Sequence, residues 1–186
     1  MDLTPTPSQT AGPFFHLGLT DTQSVSCVAG EGAKGQRVQL TFRVLDGDGV
    51  PVPDAMIELW QADSKGNYKD TAVTAGETFC GFGRLATSKD GSCTFETIRP
   101  GRVPGPGNTL QAPHINVWVF ARGLLKGLFT RVYFAGEPAN SEDAVLALVP
   151  EDRRATLFAR PDPVRDSVWT QEIRMRGEGE TVFFDV

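Results

Sequence analysis

The sequence predicts an all-β protein, a two-layer antiparallel β-sandwich with an extended N-terminal arm and one or two short helices. Thirteen prolines and twenty glycines are spread along the 186 residues and leave little room for long helices. Between them, short segments alternate apolar with polar side chains, which is typical of strands that bury one face. Buried parallel strands would be apolar throughout, so the alternation favours two antiparallel sheets packed face to face.

The alternation is clearest in the first predicted strand. It begins near Gln36, places apolar residues at every second position from Val38 to Val44, and ends at the turn-forming residues 46–49. Further strands, each bounded by glycine, proline or aspartate, are predicted at residues 56–61, 94–98, 114–120, 129–134, 168–175 and 181–186. About seven short strands in one chain are consistent with a sandwich.

Helical structure is predicted only near the end of the chain. A helix is predicted at residues 141–148, where Ser141 would cap the first turn, Glu142 and Asp143 favour the helix dipole, and Pro150 follows. The apolar spacing at residues 151–158 suggests a second helical turn but is too short to decide. Residues 1–35 are rich in Thr, Pro, Ser and Gly and predict an arm or loop, whereas residues 36–186 form the sandwich of a single-domain protein.

The composition excludes several classes of partner. The net charge is −5 and no Lys/Arg cluster occurs, which argues against a nucleic-acid partner. No segment approaches membrane-spanning length and residues 1–7 do not resemble a signal peptide, so no membrane partner is expected. Cys27, Cys80 and Cys93 lack the paired spacing of a zinc or redox motif and are interpreted as free thiols of a cytoplasmic protein.

Residues 112–118 look like half of a metal site. Side chains two apart on a strand share a face, so a His-x-His pair can place two imidazoles on one ion. Here His114 is followed by Asn116, and a neutral amide is a poor transition-metal donor. The alternative is a lone histidine hydrogen-bonded in the core.

Other familiar motifs are absent. No serine-hydrolase elbow, Walker loop or dinucleotide fingerprint occurs, and His16 and His114 are the only histidines of the chain. The glycine-rich residues 81–84 do not match nucleotide-binding spacing and predict a bulge or a turn into the next strand.

Several segments occur in the order found in intradiol ring-cleavage dioxygenases, a family that the chain therefore resembles. They lie at residues 6–14, 57–63, 66–68, 81–84, 98–101 and 112–116. Residues 177–185 resemble the end of the alpha chains of this family, so the resemblance runs nearly from end to end. In this family, a catalytic chain binds Fe(III) through two tyrosinates and two histidines.

This chain departs from that ligand pattern. His114 occupies the first histidine position, Asn116 the second, and Val103 stands where a tyrosine is expected. Gln111 replaces an arginine that would stabilise developing negative charge. The resemblance therefore implies that these four residues are the relic of a metal site and that this chain binds no metal.

Neither tyrosine of the chain replaces a missing iron ligand. The chain contains only Tyr68 and Tyr133. Tyr68 belongs to a segment upstream of the expected ligand tyrosine, and Tyr133 lies on a later strand, so neither matches a ligand position.

The resemblance implies a division of labour between two chains. A homologous beta chain would hold the Fe(III) and form an alpha-beta protomer with this chain in a larger oligomer, which acts on a small aromatic acid and O2. The arm of this chain would contribute to the subunit interface, with Thr10, Gly12 and Pro13 lining the partner's substrate site. Without the resemblance, these three residues predict only an ordinary turn of the arm.

Arginine side chains are candidates for binding the substrate carboxylate. Arg122 has the same parity as His114 along the strand and is supported by the resemblance, although it would equally end the strand in solvent. Arg131, beside Tyr133, is the second candidate. Trp60 lies within a regular strand pattern, as does Trp118, so both are interpreted as core or subunit-interface residues.

Three functional hypotheses remain. The first is a subunit without iron that shapes the site of a catalytic partner. The second is an independent iron dioxygenase with unusual ligands, and the third is a non-catalytic β-sandwich that binds aromatic acids on its own. Iron content of the isolated chain distinguishes the first two, and aromatic-acid binding without a partner supports the third.

Overall fold

The computed structural model describes residues 7–21, 23–69 and 78–185. Within these ranges the strands are β1 Arg37–Leu45, β2 Met56–Gln61, β3 Phe82–Ala86, β4 Ser92–Ile98, β5 Val103–Pro104, β6 Leu110–Gln111, β7 His114–Phe120, β8 Leu128–Phe134, β9 Phe158–Pro161 and β10 Val168–Arg174. The helices are α1 Pro13–His16, a π-helical turn Leu17–Asp21, α2 Ala144–Ala147, and 3-10 turns at Pro106–Asn108, Pro138–Glu142 and Glu151–Leu157. Thr6, Thr22 and Val186 lie outside the described residues.

The chain is mostly β, as predicted, but its strands do not form two separate antiparallel layers. Eight of them form one hydrogen-bonded sheet in the order β3-β2-β7-β8-β9-β10-β1-β4, and β5 and β6 form a small hairpin. Two neighbouring pairs, β8 with β9 and β1 with β10, are parallel. The short strand β9 joins the two halves because it pairs with both β8 and β10. Its four residues carry no alternating pattern, so the sequence did not reveal it.

The edge strands β3 and β4 lie close together and nearly close the sheet. A Cβ atom at Gly83 would lie 2.8 Å from the Phe95 ring, so only glycine permits this approach. Residues 25–29 bridge the two edges: Val25 N donates to Arg84 O at 2.8 Å, and Val28 N donates to Glu96 O at 2.8 Å. Residues 25–29 therefore cover the edges that β3 and β4 would otherwise expose.

The core lies inside this curved sheet. In β1 the predicted alternation is confirmed, since Val38, Leu40, Phe42 and Val44 are buried and the intervening side chains are more exposed. They pack against buried side chains of the other strands, among them Ile57, Leu59, Phe95, Ile115, Val117, Val119, Val132, Phe134 and Ile173. Burial of so many apolar side chains is the main stabilising contribution to the fold.

The predicted helix at residues 141–148 is shorter and begins later. Helix α2 is capped by Asp143 rather than Ser141, because the Asp143 carboxylate accepts hydrogen bonds from Val145 N at 3.0 Å and Leu146 N at 2.8 Å. The same carboxylate also binds the strand region through Ala112 N, at 2.7 Å, which fixes the cap position. Tertiary contacts of this kind are not visible in a local sequence pattern.

The last predicted strand, at residues 181–186, is wrong for the residues that the structure describes. Residues 181–185 belong to no strand. They are held by isolated hydrogen bonds, among them those from Phe184 N to Phe129 O at 2.8 Å and from Thr130 Oγ1 to Val182 O at 2.7 Å. The second helical region was anticipated more closely, since Glu151–Leu157 is a 3-10 helix.

Cys27, Cys80 and Cys93 are free thiols, as predicted. None of the helices in the described ranges has the length and apolar character needed to span a membrane.

Candidate functional site

His114 lies at the start of β7 and is 2% exposed. Its Nδ1 is 2.8 Å from Ala112 O, which can only accept, so Nδ1 carries the proton and donates. Burial lowers the pKa of His114 to about 4, helped by the positive charge of Arg131 and opposed by the Ala112 bond and the charge of Asp143. The imidazole is therefore neutral at pH 7, with Nε2 as an acceptor.

Tyr68 lies against this imidazole although its position in the sequence did not indicate it. Its hydroxyl is 3.5 Å from His114 Nε2 and accepts a hydrogen bond from Asn116 Nδ2 at 3.2 Å. Burial raises the pKa of Tyr68, although the Asn116 bond and the charge of Arg131 oppose this rise. The ring is therefore a neutral phenol, and the cluster of His114, Tyr68 and Asn116 carries no negative charge.

Arg131 supplies a positive charge beside the same cluster. It lies opposite Asn116 in the pairing of β7 with β8, and its Nη1 donates to Gln111 Oε1 at 2.6 Å. Gln111 itself lies opposite Val103 in the β5-β6 hairpin. The positions predicted as a relic of a metal site therefore lie in one region. Gln111 stands where the family has an arginine, and Arg131 of the neighbouring strand β8 supplies a guanidinium in the same region.

An open cleft on the outer face of the sheet adjoins this cluster. It has a volume of about 490 Å³ and is lined by Glu58, Leu59, Trp60, Phe82, Asn116, Trp118, Phe129 and Arg131. Trp60 is 43% exposed, and Trp118 is half-buried. Of the two predicted places for these tryptophans, the core is excluded, because their strand positions point outward rather than into the sheet interior; a place in a subunit interface stays a prediction.

The predicted substrate-binding residues form a second group at the other end of β7. Gly123 N donates to Thr10 Oγ1 at 2.6 Å, which ties the arm to the loop after the strand. Gly12 and Arg122 line one cavity of about 480 Å³, and Pro13 begins helix α1. Arg122 Nη2 is 3.1 Å from Asp54 Oδ2, and its side chain is 74% exposed.

The two groups are separate sites within this chain. Arg122 follows His114 by eight residues, and an extended strand of that length spans about 26 Å. Equal parity along the strand therefore does not bring Arg122 to the His114 cluster. One small aromatic acid could not contact both groups.

Comparison with known proteins identifies the family. The model of a dioxygenase family matches residues 10–177. The chain is 45% identical to the protocatechuate 3,4-dioxygenase alpha chain of Burkholderia cepacia, over 97% of both chains.

This chain belongs to the intradiol dioxygenase family.

Two further similarities concern a relative in sequence and a relative in fold. The protocatechuate 3,4-dioxygenase beta chain of Burkholderia cepacia is 33% identical over 68% of this chain and 56% of that one. The dioxygenase domain of a dioxygenase and carbohydrate-binding protein fusion from Streptomyces sp. SirexAA-E has the same fold. That likeness has a TM-score of 0.66 and 24% identity, and it covers 92% of this chain and 99% of that chain.

The donors present in this member do not fit ferric iron. The family pattern needs two phenolates and two imidazoles, whereas the cluster offers one imidazole, one phenol whose pKa is raised, and an amide that donates to that phenol. Within residues 7–21, 23–69 and 78–185, no three His, Cys, Asp or Glu side chains lie together as a metal site requires. Tyr133, the other tyrosine, donates instead to Asp143 Oδ1 at 3.2 Å.

Acidification is expected to reduce the stability of the protein through His114. The folded imidazole stays neutral to about pH 4, whereas in the unfolded chain it takes up a proton below about pH 6.5. The unfolded state therefore binds more protons in this window, and the free energy of unfolding falls by about 2 kcal/mol between pH 7 and pH 5. The measurement is the Tm at both pH values for the wild type and His114→Gln.

The His114→Gln variant should lose less stability on acidification than the wild type. His16→Gln is the control, because His16 is exposed and its replacement should leave the difference unchanged. An equal loss in wild type and His114→Gln would contradict the assignment of a buried neutral imidazole.

Proposed function

We propose that this chain is the alpha subunit of a protocatechuate 3,4-dioxygenase. In this reaction protocatechuate is cleaved between its two hydroxyl-bearing carbons, and both atoms of O2 enter the product, 3-carboxy-cis,cis-muconate. The main support is the 45% identity to an alpha chain that covers 97% of both sequences. A cytoplasmic aromatic-catabolic enzyme also agrees with the free thiols of the chain.

In this proposal Fe(III) is held by a homologous beta chain and not by this one. The support is chemical: a hard, highly charged ion needs anionic oxygen donors, and the His114 cluster has none. Similarity to a beta chain over 68% of this sequence supports a partner with a common fold. His114, Asn116, Val103 and Gln111 are then the relic of the site that the partner retains.

The contribution of this chain to catalysis would be made by its arm. Thr10, Gly12, Pro13 and Arg122 would line the partner's substrate site, where Arg122 pairs with the carboxylate of the substrate. The exposed ion pair with Asp54 is weak, so Arg122 can exchange Asp54 for a substrate at low cost. The adjacent arm exposes two apolar side chains, Phe14 at 84% and Leu17 at 54%, as expected of a surface that a partner covers.

Iron content and activity of separate and combined chains test this proposal. Co-expression with a homologous beta chain should give a complex with one iron per alpha-beta pair that cleaves protocatechuate, whereas this chain alone should contain no iron and cleave nothing. In the complex, His114→Ala should leave the iron content unchanged. Iron and activity in the isolated chain, or loss of iron in the His114→Ala complex, would overturn the division of labour.

A further inference from the structure

The guanidinium of Arg131 lacks a carboxylate partner among the described residues. Its side-chain hydrogen-bond partners within the described residues are neutral: Gln111 Oε1 and the hydroxyl of Tyr133. Two acidic residues of this region, Glu58 and Asp143, already have other partners. Glu58 accepts from Arg84 at 2.6 and 2.7 Å, and Asp143 accepts from two helix amides, Ala112 N and a tyrosine hydroxyl.

Arg131 is half-buried and lines the outer cleft, so this positive charge is partly withdrawn from water. A guanidinium has five N–H donors in a planar fork that matches a carboxylate. In a partly desolvated cleft, an anionic ligand gains more from such a charge than it would at an open surface. The charge of the cleft therefore favours a small anion.

Asn116 provides a second polar group on the same cleft. Its Nδ2 donates to the Tyr68 hydroxyl, whereas its Oδ1 is buried and has no hydrogen-bond partner among the described residues. An unsatisfied buried acceptor is costly. Asn116 lines the cleft and is only half-buried, so a rotation of its amide would present Oδ1 to a ligand hydroxyl. The cleft thus offers a donor for an anion and an acceptor for a hydroxyl group.

Four of the six remaining lining residues are aromatic, and the other two are Leu59 and Glu58, whose carboxylate is paired with Arg84. Trp60 and Phe82 lie with ring centroids 6.2 Å apart, and Trp118 and Phe129 lie 5.2 Å apart. Aromatic rings of a ligand pack on such surfaces in tilted or offset arrangements. A volume of about 490 Å³ is within the usual range for small-molecule sites.

We propose that the cleft between Arg131, Asn116 and Trp60 binds a hydroxylated aromatic carboxylic acid without a metal. The carboxylate pairs with Arg131, a ring hydroxyl donates to Asn116 Oδ1, and the ring packs against the aromatic walls. This site lies far from Arg122, so it is additional to the one proposed for catalysis. The proposed function does not require it.

The test is the number of binding sites in the alpha-beta complex, measured by titration calorimetry with 4-hydroxybenzoate. This probe has one ring hydroxyl and cannot undergo cleavage between two hydroxyl-bearing carbons. We expect two sites for each alpha-beta pair. Arg131→Gln should weaken one of them by about 10- to 100-fold, because a charge-assisted interaction is lost, and Trp60→Ala should weaken the same site by about 3- to 10-fold.

Arg165→Gln is the matched control, because Arg165 is 64% exposed, pairs with Asp162 and does not line the cleft. It should leave both sites unchanged. Trp60 is partly exposed, so its replacement keeps the test valid if Arg131→Gln fails to fold. One site per pair, as when the partner chain covers the cleft, or two unchanged sites in both cleft variants, would overturn the proposal.

The iron content of the same samples shows whether the partner chain holds its iron, independently of ligand binding to the cleft. Loss of iron with a retained Arg131-dependent site would count against the proposed function alone. If no beta chain co-purifies, the same titration of this chain should give one Arg131-dependent site, and no binding would overturn the inference.

Discussion

Replacing Arg122 by leucine is expected to lower kcat/KM for protocatechuate by about 100-fold in the alpha-beta complex, because an arginine-carboxylate pair would be lost. Arg122 is 74% exposed, and Asp54 is its one ion-pair partner in the part of the chain that the structure describes, so its substitution should not disturb the fold. The measurement is steady-state ring cleavage with protocatechuate and with catechol, which lacks the carboxylate.

The ratio of the activities toward protocatechuate and catechol makes this test specific for the carboxylate. Activity toward catechol should change little in Arg122→Leu, whereas a general defect would lower both activities equally. Arg122→Lys should recover part of the loss, because it keeps the charge but not the planar fork. An equal fall for both substrates, or no fall for protocatechuate, would contradict the proposed role of Arg122.

Replacing Asp143 by alanine is expected to destabilise the protein by about 3–5 kcal/mol, the largest stability effect that the structure predicts. Asp143 is 1% exposed and its carboxylate accepts four hydrogen bonds, from Ala112 N, Tyr133 Oη, Val145 N and Leu146 N. Its loss uncaps helix α2 and leaves a buried hydroxyl and three amides without their acceptor. A fall in Tm of about 10 °C is expected for a chain of this size.

The neighbouring residue provides the control for Asp143. Glu142 is 65% exposed and forms a surface ion pair with Arg102 at 2.9 Å, which contributes little to stability. Glu142→Ala should therefore change the Tm by no more than about 1 or 2 °C. Equal effects of the two substitutions would show that the buried carboxylate does not organise this region.

The sequence predicted the parts of the fold in which burial alternates along one strand. Strands β1, β2 and β7 appear where the apolar period of two placed them, because each buries one face in the core. Strand β9 has only four residues and depends on pairing with β8 and β10. Such pairing is set by distant segments, so neither β9 nor the single continuous sheet could be read locally.

The candidate site was also predicted only in part, because some of its contacts join segments that are distant in sequence. His114 and Asn116 are two residues apart on one strand, so local spacing placed them together. Tyr68 is distant in sequence and reaches His114 only through the loop after β2. Arg131 was the second arginine candidate because it stands beside Tyr133, but its hydrogen bond to Gln111 depends on the separate β5-β6 hairpin.

The location of iron tests the central claim most directly. Anomalous diffraction at the iron absorption edge, from crystals of the alpha-beta complex, would show each iron position independently of activity. We expect one iron per pair, bound by side chains of the beta chain, and no anomalous peak near His114, Tyr68 or Asn116. An iron peak within bonding distance of His114 Nε2 would contradict the account.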